Sequence, residues 1–305
     1  MTTQAVYIKD SKHYVDSLLP VEAEVKKEFN VHPPPNETEE ERTVRHDING
    51  ERFLQWAETN QCTLLVSYPR SGRHWIADIL RLLTGKLSVM PYEINSDNYD
   101  DFALLTTHGY RFDYPSMLKY NPLNKVIILI RDPRDCALSN AYRSAVLGIP
   151  DFGHNAMCDG IVKVSVEQTL KLWYETYVRY MEFNHIVITY ENLCCRPVET
   201  VSNILRFLGI SRSPIEISHA VRSMDRMKKR HEGSEHIIPY LYETNRERFT
   251  FNCSKWVDNQ FWDEELTNLV WERLHSQLKW FNYTRYGSAP RMFEPQIVQT
   301  SVLSQ

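Results

Sequence analysis

The short turn around residue 70 carries several side chains that could bind an anion. An apolar run at residues 64–66 is typical of a strand, and beyond the turn apolar residues from Trp75 to Leu83 recur at helical spacing. A strand–turn–helix unit aims backbone N–H groups at one point, and the N-terminus of the helix adds partial positive charge. Gly72 lets the backbone approach a bound anion closely. The side-chain donors in this turn are Arg70, Ser71, Arg73 and His74.

A second cationic turn follows the apolar run of residues 125–130, which is typical of a strand buried on both faces of a parallel sheet. Arg131 comes directly after this run, and Asp135 and Ser139 follow within a predicted helix. A planar, permanently charged guanidinium suits a phosphate monoester because it can donate two parallel hydrogen bonds. The alternative is structural: Arg131 and Asp135 would pair with each other at the helix entry.

Both turns resemble signature motifs of the sulfotransferases that use 3′-phosphoadenosine 5′-phosphosulfate (PAPS). The first resembles the family's 5′-phosphosulfate loop, Tyr-Pro-Lys-Ser-Gly-Thr-Thr-Trp, with Arg70 in the position of the lysine. The second resembles the 3′-phosphate motif, Arg-Asn-Pro-x-Asp-x-x-x-Ser-x-Tyr. Arg131 and Ser139 match that motif, whereas Asp132 replaces its asparagine. The resemblance spans residues 60–285, and the motifs occur in the family's order.

A third match concerns the catalytic base. Residues 103–108 resemble the family's strand that ends in Lys-Thr-His, which implies His108 as the general base. An unperturbed imidazole pKa of about 6.5 keeps such a base largely neutral near pH 7. Thr106 stands where the family has the lysine, so Arg70 or Arg73 would have to supply that positive charge. Arg70 is also implied to stabilise charge on the leaving 5′-phosphate oxygen.

The remaining contacts to the nucleotide are also implied by the resemblance. Trp75 would stack on adenine or else belong to the core, and Tyr190 would hold the ribose or simply anchor the end of its own strand. Ser223 and Met224 match a segment beside adenine, and Arg248 matches part of the loop that closes over the 3′-phosphate. The implied cofactor-binding residues are Arg70, Ser71, Gly72, Arg73, His74, Trp75, Arg131, Ser139, Tyr190, Ser223, Met224 and Arg248.

The resemblance implies an enzyme that moves a sulfuryl group from PAPS to a hydroxyl or amine of a small-molecule acceptor. The product nucleotide would be adenosine 3′,5′-bisphosphate (PAP), and no metal is implied. Aromatic residues in the loops favour an acceptor that is cyclic or cationic. Two alternatives stay open. One is an ATP- and magnesium-dependent enzyme like the nucleotide kinases, although the Gly-Lys-Ser/Thr loop end is missing. The other is a non-catalytic nucleotide-binding module of the same fold.

The composition narrows the classes of partner. A formal net charge of −4 argues against a nucleic acid held by a basic face. No segment approaches the roughly 20 apolar residues of a membrane span, so we expect no membrane partner. The six cysteines lack zinc-binding spacing, which fits reduced thiols in a cytoplasmic protein. The cytoplasm is the predicted location, and the oligomeric state stays open.

Strands that alternate with helices predict a single α/β domain with a central parallel sheet flanked by helices. The resemblance implies the sulfotransferase fold, which is similar to that of the P-loop kinases. We expect an N-terminal extension at residues 1–50, the sulfotransferase domain at 51–287 and a flexible tail at 288–305. Ligands bind at the carboxyl ends of parallel strands, where Arg70, His108 and Arg131 all fall.

Overall fold

The computed structural model describes residues 38–89, 102–108, 115, 121, 123–147, 159–230, 254, 256–257, 259–287 and 296–298. Within these residues one sheet has the strand order β2-β3-β1-β4-β5-β6. Its strands are β1 (Thr63–Ser67), β2 (Leu87–Val89), β3 (Phe102–Thr107), β4 (Lys125–Ile130), β5 (His185–Thr189) and β6 (Gln296–Val298). The first five run parallel, and β6 pairs antiparallel with β5. The predicted α/β class with a central parallel sheet is confirmed.

Helices cover both faces of this sheet. They are α1 (Glu39–Thr59), α2 (Arg73–Thr84), α3 (Pro133–Leu147), α4 (Asp159–Leu172), α5 (Glu175–Val178), α6 (Tyr190–Cys195), α7 (Pro197–Leu208), α8 (Pro214–Arg230) and α9 (Glu264–Trp280). Local signals set their ends: α7 begins with Pro197 and ends before Gly209, whose φ of 78° is the left-handed value that favours glycine. None of the helices in the described ranges is long and apolar enough to cross a membrane.

The central strands bury both of their faces. On β1 and β4, alternate side chains enter two separate apolar clusters, one around Leu64 and Ile128 and the other around Leu65 and Ile127. The first cluster includes side chains of α3, α4 and α9, and the second includes side chains of α2 and α7. Because both faces are covered, polar side chains reach a ligand only at the ends of these strands.

Two expected boundaries differ from the structure. The helix α1 begins at Glu39, because Thr38 and Glu41 form a reciprocal capping box. The boundary expected between residues 50 and 51 therefore falls inside α1. Within the expected tail, residues 296–298 form β6 and pair with β5, so this segment belongs to the sheet. Three residues on a sheet edge carry too short a pattern for sequence to indicate a strand.

Candidate active site

Three turns meet at one edge of the sheet. The strands β3, β1 and β4 are direct neighbours, with Val66 opposite Thr107 and Ser67 opposite Leu129. All three run in the same direction, so the residues that follow them lie side by side. These are the loop of residues 68–72 after β1, His108 after β3 and Arg131 after β4. The sequence expectation that these groups share the carboxyl edge is therefore confirmed for the backbone.

The 68–72 loop has a fixed and unusual shape. Arg70 adopts φ +70°, which is uncommon outside glycine, and Gly72 adopts φ +92°. A Cβ on Gly72 would lie only 2.5 Å from Cδ2 of Tyr190, so the ring of Tyr190 closes off the space that a side chain would need. The loop leads into the first turn of α2, where the backbone N–H of Trp75 donates to the backbone oxygen of Gly72 at 3.1 Å, and the N-terminus of a helix carries partial positive charge. This geometry suits an anion.

The side chain of Ser71 points away from this anion position. It is 1% exposed, and its Oγ lies 3.4 Å from the hydroxyl of Tyr177 and 3.6 Å from Sγ of Cys136. The Tyr177 hydroxyl also accepts from the backbone N–H of Tyr68, at 3.1 Å. The sequence led us to expect that the Ser71 hydroxyl donates to a phosphate. In the structure it instead contacts Tyr177 and Cys136 and so helps to fix the loop on the core.

His108 has a defined tautomer. Its Nδ1 lies 2.9 Å from the backbone oxygen of Ser67, and a carbonyl oxygen can only accept, so Nδ1 carries the proton. Its Nε2 therefore bears the lone pair, and Nη1 of Arg73 donates to it at 3.3 Å. An imidazole arranged in this way can accept a proton only at Nε2, the atom that faces the head of α2.

The surroundings of His108 keep its ring neutral. Burial, followed by the charge of Arg73, lowers its pKa from 6.5 to about 4. The charge of Arg143 lowers the pKa further, and the hydrogen bond to the Ser67 carbonyl opposes these effects. The unperturbed pKa expected from the sequence is therefore wrong for this protein, although the expected neutral form at pH 7 follows all the more strongly.

Both arginines of the first turn contact neutral groups. Nε of Arg70 donates to Oγ of Ser139 at 3.1 Å, which ties the loop to α3. Nη2 of Arg73 lies 3.4 Å from Nε2 of His74, which is exposed on the first turn of α2. These contacts are with neutral groups, and a neutral hydrogen-bond partner does not cancel the charge of a guanidinium.

Arg131 is held much more tightly. It is 5% exposed, its Nη1 donates to the backbone oxygen of Arg70 at 2.9 Å, and its Nη2 lies 3.6 Å from a carboxylate oxygen of Asp135. The guanidinium also stacks 4.2 Å from the ring centre of Tyr190. The pairing with Asp135 that the sequence left as an alternative is present. Through its bond to Arg70, the same guanidinium also contacts the backbone of the 68–72 loop.

Comparisons with known proteins identify the family. Residues 61–279 match the sulfotransferase domain. The chain belongs to the sulfotransferase family. It is 25% identical over 209 residues to a 3-alpha-hydroxysteroid sulfotransferase of Cavia porcellus, a match that covers 60% of this chain and 71% of that protein.

Solved structures agree on the fold. A crystal structure of mouse sulfotransferase SULT7A1 complexed with PAP aligns with a TM-score of 0.55 and 18% identity, covering 76% of this chain and 90% of that one. Retinol dehydratase in complex with androsterone and inactive cofactor PAP aligns with a TM-score of 0.51 and 14% identity, covering 75% and 86%. The predicted sulfotransferase fold is thereby confirmed.

This sulfotransferase also contains a buried ionic network that sequence reasoning missed. Asp132 accepts three hydrogen bonds from Arg134: from its backbone N–H at 2.9 Å, from Nε at 2.8 Å and from Nη2 at 2.7 Å. Arg134 further donates to the backbone oxygens of Arg285 and Gly287, and its guanidinium lies 4.0 Å from the ring centre of Trp256. The replacement of the motif's asparagine by Asp132, two residues before an arginine, was the available signal.

Glu191 completes this network on the side of β5. One carboxylate oxygen accepts from the backbone N–H of Asp132 at 3.1 Å, and the other accepts from the hydroxyl of Tyr283 at 2.8 Å. Burial, and then the nearby charge of Asp132, raises the Glu191 pKa from 4.5 to about 7. The network fastens the C-terminal part of the domain to the turn after β4.

Among the other residues expected to contact the nucleotide, two are buried and two fall wholly or partly outside the described residues. Trp75 is 6% exposed and packs in the apolar cluster with Tyr190, its ring centre 6.0 Å away, as its alternative assignment to the core predicted. Ser223 is buried on α8. Met224 lies on the same helix, but its side chain falls outside the described residues, as does all of Arg248.

Proposed function

We propose that this sulfotransferase moves a sulfuryl group from PAPS to a hydroxyl or amine of a small-molecule acceptor, with His108 as general base. The observation that carries the proposal is the hydrogen-bond pattern of His108. The backbone oxygen of Ser67 holds the proton on Nδ1, so the lone pair is on Nε2, which lies beside Arg73 at the start of α2. A base beside an anion-binding loop is what a transfer from a phosphosulfate requires.

The donor set of the loop fits the phosphosulfate end of PAPS. The N-terminus of α2 offers partial positive charge, and Arg70 and Arg73 add two guanidinium groups beside it. Arg131 lies beneath the loop and would read the 3′-phosphate together with Ser139. Two relatives of this fold were crystallised with PAP, which supports a nucleotide of this class.

The proposed chemistry is an in-line displacement. PAPS supplies the sulfuryl group and a good leaving group, the 5′-phosphate oxygen. Nε2 of His108 takes the proton of the acceptor, while the acceptor's oxygen or nitrogen forms its bond to sulfur and the bond from sulfur to the phosphate oxygen breaks. Arg70 stabilises the charge that develops on that oxygen.

The acceptor is proposed to be a small cyclic or cationic molecule. The Cavia porcellus relative is named for a 3-alpha-hydroxysteroid, and retinol dehydratase was crystallised with androsterone, so cyclic alcohols are the first acceptors to test. Cationic amines form the second group. The cytoplasmic location stays a prediction.

The test combines a substrate screen with one variant. Purified protein is incubated with PAPS and a panel of cyclic alcohols and amines, and mass spectrometry looks for the gain of one sulfuryl group. We expect transfer to at least one acceptor, and a loss of turnover of roughly a hundredfold or more in His108→Ala with PAP affinity nearly unchanged.

The same assay decides between the alternatives. Transfer from ATP with magnesium, and none from PAPS, would favour the kinase-like reaction. Tight PAP binding without transfer to any acceptor would favour a non-catalytic module. Full turnover in His108→Ala would show that another group is the base.

A further inference from the structure

Arg73 contacts the atom that would accept the proton. Its Nη1 lies 3.3 Å from Nε2 of His108, and its Nη2 lies 3.4 Å from Nε2 of His74. A guanidinium has donors only, so both imidazole nitrogens accept from it. The lone pair that the proposed mechanism needs is thus engaged by Arg73. Proton transfer from an acceptor requires this hydrogen bond to break.

The position of Arg73 also answers a question that the sequence left open. The family's strand ends in Lys-Thr-His, but this chain has Thr106 in place of the lysine, and Thr106 is 3% exposed on β3. A buried threonine hydroxyl supplies no charge. Of the two arginines that could replace it, Arg70 is directed towards Ser139 on α3, whereas Arg73 is directed towards His108.

We propose that Arg73 exchanges partners during the reaction, leaving Nε2 of His108 for the phosphosulfate end of PAPS when PAPS binds. The exchange frees the base only after the donor is in place. The same guanidinium then stabilises the oxygens of the transferred sulfuryl group, the task that a lysine at position 106 would have had. This inference rests on the proposed function, and the bonds made and broken are those given above.

The charges around His108 make the exchange measurable. The charge of Arg73 on α2, and more weakly that of Arg143 on α3, acts on its ring, and the Ser67 carbonyl on β1 accepts from Nδ1. Removing a donor from Nε2 and placing an anion nearby both favour the protonated ring. PAP binding is therefore expected to raise the pKa of His108 from its value of about 4.

The experiment is an NMR titration of the histidine rings in the full-length protein, with and without saturating PAP. The His108 signal is assigned from its loss in His108→Asn. We expect PAP to raise the His108 pKa by about one unit or more in the wild-type protein. In Arg73→Met, the pKa without PAP should already lie well above the wild-type value, and PAP should add less.

Arg143→Gln is the matched control. It removes a charge that acts on the same ring, but it leaves the hydrogen bond at Nε2 intact. The PAP-induced rise should persist in this variant. If Arg73→Met instead titrates like Arg143→Gln, or if PAP binds the wild-type protein without moving the His108 pKa, the exchange does not occur.

Single-turnover kinetics supply the catalytic readout. With PAPS saturating, Arg73→Met is expected to slow transfer roughly a hundredfold, and Arg73→Lys should recover part of this loss because it restores a charge. Equal rates in Arg73→Met and the wild type would overturn the inference. If the wild-type protein neither binds PAP nor transfers a sulfuryl group, the proposed function itself has failed, which is a different result.

Discussion

The turns after β1 and β4 each carry two arginines, but the partners of these arginines differ in charge. After β1, Arg70 donates to a serine hydroxyl and Arg73 to two imidazoles. After β4, Arg131 faces Asp135 and Arg134 is bound twice by Asp132. Neutral partners leave the field of a guanidinium in place, whereas carboxylates cancel most of it.

The two turns therefore have different roles in the protein. The turn after β1 has the charge and the backbone geometry to attract an anion. The turn after β4 uses its charges mainly to hold together Asp132, Glu191, Tyr283 and the C-terminal turn at residues 285–287. A count of cations in the sequence would rate the two turns as equal. The contacts described above distinguish them: a hydroxyl and imidazoles after β1, and carboxylates after β4.

The largest expected difference is in the unfolding free energy of variants that remove one arginine from each turn. Arg134→Met removes the guanidinium that pairs with the buried Asp132 carboxylate, and we expect the free energy of unfolding to fall by about 3–5 kcal/mol. Arg70→Met should cost less than about 1 kcal/mol, because its bond to Ser139 joins two partly exposed groups and its loss leaves no buried charge unpaired. Urea denaturation measures both values.

A double variant keeps this prediction testable if Arg134→Met does not fold. Asp132→Asn combined with Arg134→Met removes both charges and should recover much of the lost stability. If Arg70→Met proves as damaging as Arg134→Met, the contrast between the two turns is wrong.

The next largest effect is expected where the 68–72 loop contacts Tyr190, the residue that follows β5. In Gly72→Ala, the new Cβ would meet the ring of Tyr190 at 2.5 Å on a backbone with φ +92°. We expect a loss of about 2–4 kcal/mol in unfolding free energy, together with weaker PAP binding.

Gly209→Ala is the matched control for this change. Its φ is +78°, but a Cβ there would meet nothing within 4 Å, so only the backbone term of about 1 kcal/mol remains. PAP affinity, measured by calorimetry, should stay at the wild-type value in Gly209→Ala. Similar losses of stability in both variants would mean that Tyr190 does not fix the loop.

Local sequence signals predicted much of the framework. The ends of α7 coincide with Pro197 and Gly209, and the apolar run after Lys125 in β4 indicated a strand buried on both faces. Topology then required the residues after β1, β3 and β4 to meet at one edge. These inferences depend on backbone geometry and on patterns within a few residues, which sequence records directly.

The direction of each side chain could not be predicted in the same way. Ser71 points into the core because Tyr177, which is distant in sequence, offers its hydroxyl there. Arg73 reaches His108 because α2 begins beside the end of β3. The lowered pKa of His108 follows from that contact and from burial. Such properties arise from partners that only the folded chain brings together.

Arg131 makes contacts that belong to both turns. It pairs with Asp135 on α3, but it also donates to the backbone oxygen of Arg70 in the 68–72 loop. We expect Arg131→Met to weaken PAP binding by roughly tenfold while the affinity for adenosine 5′-monophosphate changes little, because only PAP has a 3′-phosphate to lose its partner. Competition binding gives both constants. An equal loss for both nucleotides would mean that Arg131 only shapes the loop.

The smallest effect concerns pH and the network of the second turn. The Glu191 pKa is about 7 in the folded protein against 4.5 ordinarily, so between these values the folded state holds a proton that the unfolded chain has released. The stabilisation that the protonated Glu191 gives to the folded state is fully present below pH 4.5, and it is lost as the pH rises through about 7. Glu191→Gln keeps an oxygen for the Asp132 N–H and removes the titration. Between pH 5 and pH 8 the wild type should therefore lose on the order of 1 kcal/mol more unfolding free energy than the variant.

Glu216 provides the control for this measurement. Hydrogen bonds from Ser213 lower the pKa of Glu216, so its contribution to the unfolding free energy is lost only as the pH falls below 4.5. Glu216→Gln should accordingly leave the change between pH 5 and pH 8 as it is in the wild type. His108 and His185, whose pKa values are lowered, act with the opposite sign but equally in all three proteins, so they cancel in the differences. An unchanged pH dependence in Glu191→Gln would show that Glu191 is ionised throughout this range, and that the second turn holds more negative charge than its arginines balance.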